Sequence, residues 1–177
     1  QRVRDQATTL WRHLQGVKGS ARTPAALRES QQALAWAGAL HEIGMMVSHH
    51  DHHRHSAYLL DHLDAAGFSQ SQQRRIGELV LGQRGGLRKV EAGFARKDFT
   101  LLLLCLRLAV LCCHGRHQAA KVKLHVKRDR QGEVELSWGQ DARERRLTPA
   151  ELRTQHLLRE EVAVWAKAGL LRLRWAD

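Results

Sequence analysis

The chain has 177 residues, 43% of them hydrophobic, and a formal net charge of +11. That length allows one domain or two small ones, and the apolar content excludes a disordered chain. The charge, with a pI near 10.6, predicts polyanionic company: nucleic acid, polyphosphate, anionic lipid or an acidic partner. The first residue is Gln1 rather than Met, so a processed chain or a piece of a longer one is expected, with further function carried ahead of it.

Val3, Ala7, Leu10, Trp11 and Leu14 recur at helical spacing, with Arg2, Arg4, Arg12 and Lys18 on the wet side. Gly16 to Thr23 reads as a break. Thr23 is placed to cap the next helix, with Pro24 at its first position. Leu34, Ala37, Leu40 and Ile43 carry that helix to Gly44, a natural stop. A histidine-rich stretch, Ser48 to His55, reads as a loop. Ser56–Leu63 predicts a further helix that ends near Gly67. Ser69 or Ser71 caps the one after it, whose apolar face is Ile76, Leu79 and Val80. Residues 83–89 form a basic connection around Gly85 and Gly86. Asp98 is placed to cap a long helix from Phe99 to about His114. Its apolar run, Leu101–Cys113, is too short and too interrupted by Arg107 to span a bilayer, so it reads as a core helix.

After Gly115 the period changes to two. Val122, Leu124 and Val126 take one strand face, Arg130–Gly132 a turn, and 133–138 a second strand. Thr148, Pro149 and Glu151 form a capping box that opens a helix to about Lys167, stopped by Gly169, with Leu152, Leu158, Val162 and Trp165 on its apolar side. Leu171, Leu173 and Trp175 alternate with arginines as a last strand. The expected fold is therefore mostly α: an all-helical domain over 1–116 and a small α/β domain (β-hairpin, helix, strand) over 117–177.

Three cysteines, Cys105, Cys112 and Cys113, share one apolar run, a spacing that makes neither a zinc ribbon nor a disulfide framework. With no secretory signal visible, they read as reduced thiols of a cytoplasmic protein. No Walker loop or nucleophile elbow is present, and few aromatics interleave the basic residues, which disfavours single-stranded nucleic-acid binding.

The adjacent His41 and Glu42 resemble the His-Asp pair of HD-type metal-dependent phosphohydrolases. Glu42 is one methylene longer than Asp, whereas metal–ligand distances hold to about 0.2 Å. Leu106-Arg107-Leu108-Ala109 is followed by Val110 where that pattern expects an aspartate, and valine binds no metal. The only early histidine is His13. An intact metal site is therefore not expected. His49, His50, His52, His53 and His55 could bind a metal or, with Arg54, donate hydrogen bonds to phosphate, more strongly as pH falls. Arg84, Arg88 and Lys89 around the glycines are candidate polyanion contacts. Arg143, Arg145 and Arg146 read as solvated surface. Arg107, placed in a core helix, requires a partner: Glu42, with the guanidinium in the place of a metal, or Asp61 or Glu78 in a structural pair.

Residues 39–44 (Ala-Leu-His-Glu-Ile-Gly), Ser48-His49, 53–60 (His-Arg-His-Ser-Ala-Tyr-Leu-Leu), 67–69 (Gly-Phe-Ser) and the 104–111 run resemble, in order, the C-terminal region of the exopolyphosphatase / guanosine pentaphosphate phosphatase (Ppx/GppA) family. Gln83 and Gly85 depart from that family's His-Arg-basic pattern. The resemblance implies an HD-like helical domain and a small α/β domain that follow an actin-like catalytic pair. That pair, with magnesium and a carboxylate base, would hydrolyse phosphoanhydrides. The part in hand would bind polyphosphate, form a homodimer and contribute no catalytic residue. The expected polyphosphate contacts are His41, His49, His53, Arg54, His55, Arg84, Arg88 and Lys89, with no membrane partner. The alternatives are an active HD-type phosphohydrolase using His41 and Glu42, or a basic nucleic-acid-binding module.

Overall fold

A computed structural model describes residues 1–15, 23–114, 123–140 and 144–176. Helix α1 is Arg2–Gln15, α2 Pro24–Leu40, α3 His52–His62, α4 Gln70–Gly82, α5 Phe99–Cys113 and α6 Pro149–Ala168. Two 3₁₀ segments, Ile43–Met46 and Leu87–Ala95, lie between them. Strands β1 (Leu124–Arg128), β2 (Val134–Trp138) and β3 (Leu173–Trp175) form one sheet in the order β1-β2-β3. β1 and β2 pair antiparallel with Val126 opposite Leu136. β2 and β3 pair parallel with Val134 opposite Leu173. The expected break at 16–22, Val122, Arg143 and the 116/117 boundary lie outside the described residues.

Helix α5 is the axis of the core. Phe99, Leu101–Leu106, Leu108 and Ala109 are all buried. Helices α1, α2, α4 and α6 lie against it. The buried stripe of α1 is the Val3, Ala7, Leu10, Trp11, Leu14 series expected from spacing. Caps follow local chemistry in three places. Thr23 accepts from Ala26 N ahead of Pro24. Ser69 forms a capping box with Gln72. Thr148 forms one with Glu151.

Several expectations need correction. Helix α2 ends at Leu40, not Gly44, and His41 is its C-cap. Gly44 sits inside a 3₁₀ turn because α3 presses on it: a Cβ there would lie 2.2 Å from His52 O and 2.3 Å from Ser56 N. The second half of the histidine tract is helix, since α3 begins at His52 rather than Ser56. Asp98 stands at the start of α5 without capping it. Its carboxylate instead accepts from Ser30 Oγ at 2.5 Å and pairs with Arg75. Leu152 is exposed, and the buried residues of α6 are Glu151, Leu158, Glu161 and Trp165. Arg145 is exposed as expected and also grips the buried Glu151 carboxylate with both terminal nitrogens, at 2.7 and 2.9 Å, which lowers that carboxyl to about 2.

A candidate polyanion cleft

The candidate residues come from three neighbouring segments. Asp51 takes the left-handed region at φ 51°, a conformation a short polar side chain tolerates, and α3 begins at the next residue. Ser56 on α3 ties this turn to the end of α2: its hydroxyl accepts from Gly44 N at 2.8 Å and donates to His41 O at 3.1 Å. Gln83, just past α4, is buried and donates from Nε2 to the same His41 oxygen at 2.8 Å. The Gln83 amide thus braces the site from beneath.

The loop 83–86 is pinned from the core. Arg107 is 3% exposed and Glu161 5%. The Arg107 guanidinium donates from Nε and Nη2 to the two carboxylate oxygens of Glu161, at 2.5 and 2.8 Å. Its Nη1 donates to Gly82 O at 2.7 Å and Gly85 O at 3.0 Å. Trp165 Nε1 completes the set by donating to Glu161. The expected partners Glu42, Asp61 and Glu78 are therefore not those of Arg107, and Glu78 pairs with Arg96. The true partner lies 54 residues downstream, on a helix that no local pattern connects to α5. Gly85 has φ +70°, which frees its carbonyl to meet Arg107 without a side-chain penalty.

On this frame two clefts meet at His49, Arg84 and Gly85. The first, of about 580 Å³, is lined by His49, His53, Arg54, Arg84, Arg88 and Lys89, with Asp51 the carboxylate among its lining residues. The second, of about 470 Å³, runs over His41, Glu42 and Arg84 to α6. Seven of the eight expected contacts line one or other cleft, and His55 lines neither.

The electrostatics of the first cleft are those of crowded cations. Lys89 donates to Arg84 O at 2.6 Å, and its ammonium is lowered to about 8 by burial and then by Arg107, Arg54 and Arg84. Asp51 opposes this weakly, since it is also shared with His50 at 3.7 Å and Arg54 at 3.9 Å. His53 is pushed down to about 4, first by burial and then by Lys89. It is neutral at pH 7 and adds no positive charge to the cleft. His52 is lowered by burial and by Arg84, which approaches its Nε2 at 3.3 Å. His41 is lowered by burial against the pull of Glu42.

Among the described residues no group of three or more His, Cys, Asp or Glu side chains is placed to hold a metal ion. His41 Nδ1 donates to Gly38 O at 2.9 Å and leaves Nε2 3.8 Å from Glu42. Val110 lines the same cleft where a third, carboxylate ligand would be required. The three thiols are free, and burial raises Cys105 and holds Cys112 near 12.

A mostly helical domain with a small three-stranded sheet defines the class of this protein. The family model for Ppx/GppA phosphatase, domain III, matches residues 1–160, and the chain belongs to the Ppx/GppA family. It is 35% identical over 106 residues to the guanosine-5'-triphosphate,3'-diphosphate pyrophosphatase of Vibrio cholerae, covering 58% of this chain and 21% of that protein. It is 28% identical over 134 residues to the protein of the same name from Aeromonas hydrophila, covering 73% and 26%. The chain thus spans about a quarter or less of these relatives' length. Among the described residues no helix is long and apolar enough to cross a membrane.

Proposed function

We propose that this chain is the non-catalytic, polyanion-holding part of a Ppx/GppA phosphatase. Its ligand is a linear run of phosphates, as in inorganic polyphosphate or guanosine pentaphosphate. The hydrolysis is assigned to actin-like N-terminal domains of the same protein, where magnesium would be bound. The observation that carries the reading is the convergence of Arg54, Arg84, Arg88 and Lys89 on one cleft, with Asp51 the one carboxylate among its described lining residues. Cations held this close are costly alone and are relieved by phosphate oxygens. The +11 charge supports long-range attraction of the same ligand. Assembly as a homodimer rests on the family resemblance alone, and three free thiols are in keeping with a cytoplasmic location.

The donor set at His41, Glu42 and Val110 speaks against an active HD-type hydrolase. The test is equilibrium binding of labelled polyphosphate across a salt series. Binding should weaken linearly in log–log form, and Arg84→Ala or Lys89→Ala should each lower the slope by about 1. A slope near zero, or variants that bind like the parent, would remove the proposal. Equal competition by RNA at matched charge would favour a nucleic-acid module instead.

A further inference from the structure

Among the described residues lining the first cleft, Lys89 is the one amine. Its arginine neighbours stay protonated at any physiological pH, whereas a lysine among cations can lose its proton and become a nucleophile. The Lys89 side chain reaches back to the glycine loop. Its Nζ donates to Arg84 O at 2.6 Å and stands 3.5 Å from the place a Cβ on Gly85 would occupy. That bond uses one N–H, so a neutral amine keeps it and still carries a lone pair.

The charges around Nζ come from separate elements. Arg84 and Arg88 flank the glycines, Asp51 and Arg54 stand at the start of α3, and Arg107 approaches from α5 beneath the loop. Asp51 is the opposing carboxylate, and His53 is neutral. With its ammonium lowered to about 8, Lys89 is a free amine in about half of the molecules at pH 8, against about 0.4% for an ordinary lysine. The guanidinium groups that lower it are also donors for phosphate oxygens. An acyl group carried on a phosphate held there is delivered beside the amine.

We infer that Lys89 is an acylation site for acyl phosphates, the mixed anhydrides of a carboxylic acid and phosphoric acid, with the phosphate held by Arg54, Arg84 and Arg88 and the carbonyl carbon presented to Nζ. This rests on the polyanion reading above. The Nζ lone pair attacks the carbonyl carbon, and the bond from that carbon to the bridging oxygen breaks. Phosphate leaves with the electron pair and accepts the proton that the nitrogen gives up. An amine and an acyl phosphate thus become an amide and hydrogen phosphate. The amide is uncharged, so acylation removes one cation from the cleft and weakens its hold on a phosphate run.

The test is acetylation of the chain at pH 8 by acetyl phosphate and, separately, by uncharged nitrophenyl acetate, with each lysine followed by mass spectrometry. With acetyl phosphate Lys89 should react at least about tenfold faster than the other lysines, and tripolyphosphate should slow Lys89 selectively. Below saturation the rate reports the free chain, so its midpoint should fall near pH 8. Nitrophenyl acetate lacks the phosphate, so the lead of Lys89 should shrink by about threefold or more. The acetylated chain should bind polyphosphate with a salt slope lower by about 1. No lead for Lys89, or the same lead with both reagents, would overturn the acylation site. Tripolyphosphate that binds in a direct titration yet leaves Lys89 unslowed would overturn it and leave the polyanion cleft standing. No tripolyphosphate binding would overturn both.

Discussion

Removing either partner of the buried pair between Arg107 and Glu161 should be among the most damaging changes in the molecule. Glu161→Leu leaves a guanidinium buried with two carbonyls but no carboxylate, and leaves Trp165 Nε1 without its acceptor. Arg107→Met leaves a buried carboxylate with only the indole N–H. Breaking a buried ion pair from one side costs about 3–5 kcal/mol. Replacing both sides by apolar groups removes the charge problem. It still leaves the buried Gly82 carbonyl and the Trp165 indole unsatisfied, at about 1–3 kcal/mol each. The double variant should therefore cost less than the sum of the singles, with a coupling of about 2–3 kcal/mol. Urea unfolding of the four proteins at pH 7 measures this. Strictly additive effects, or single variants costing under about 1 kcal/mol, would refute the reasoning.

Three further predictions follow from the same geometry. His41, His52 and His53 are all lowered from 6.5, so between that pH and their folded values the unfolded chain binds more protons. Stability should be full above pH 6.5 and fall towards pH 4, where His53 protonates, and thermal melts across this range should show it. Lys89, lowered to about 8, should regain its proton when a polyanion binds, so affinity should fall as pH rises through 8 and binding near pH 8–9 should take up protons, as calorimetry in two buffers would detect. Gly44→Ala should lower the melting temperature by separating α3 from the 3₁₀ turn, because both atoms its Cβ would meet within 2.3 Å belong to backbone, at a cost of about 1–3 kcal/mol.

What was legible in the sequence was chemistry confined to a few neighbouring residues. Thr148, Pro149 and Glu151 specify a helix start within one stretch of four residues, and the structure has it. The period of α1 and the alternation of β1 and β2 are likewise local. The histidine tract misled because α3 starts at His52 with no side-chain cap from Asp51 and is held by packing on Gly44. Asp98 misled for the same reason, since a local capping role lost to Ser30 and Arg75, far away in sequence. In the cleft, Arg84, Arg88 and Lys89 were visible as a basic loop. The neutrality of His53 and the Glu161 anchor of Arg107 depend on burial and topology that no spacing encodes.

The central claim is that this part of the protein holds a phosphate chain without cleaving it. The most direct test incubates the chain with polyphosphate, with magnesium, with manganese and with chelator, and measures bound polymer and released phosphate in the same samples. The account predicts salt-sensitive binding that persists in chelator and no phosphate release under any condition. Metal-dependent release that disappears in His41→Ala would contradict it and would place a working hydrolytic site at His41 and Glu42.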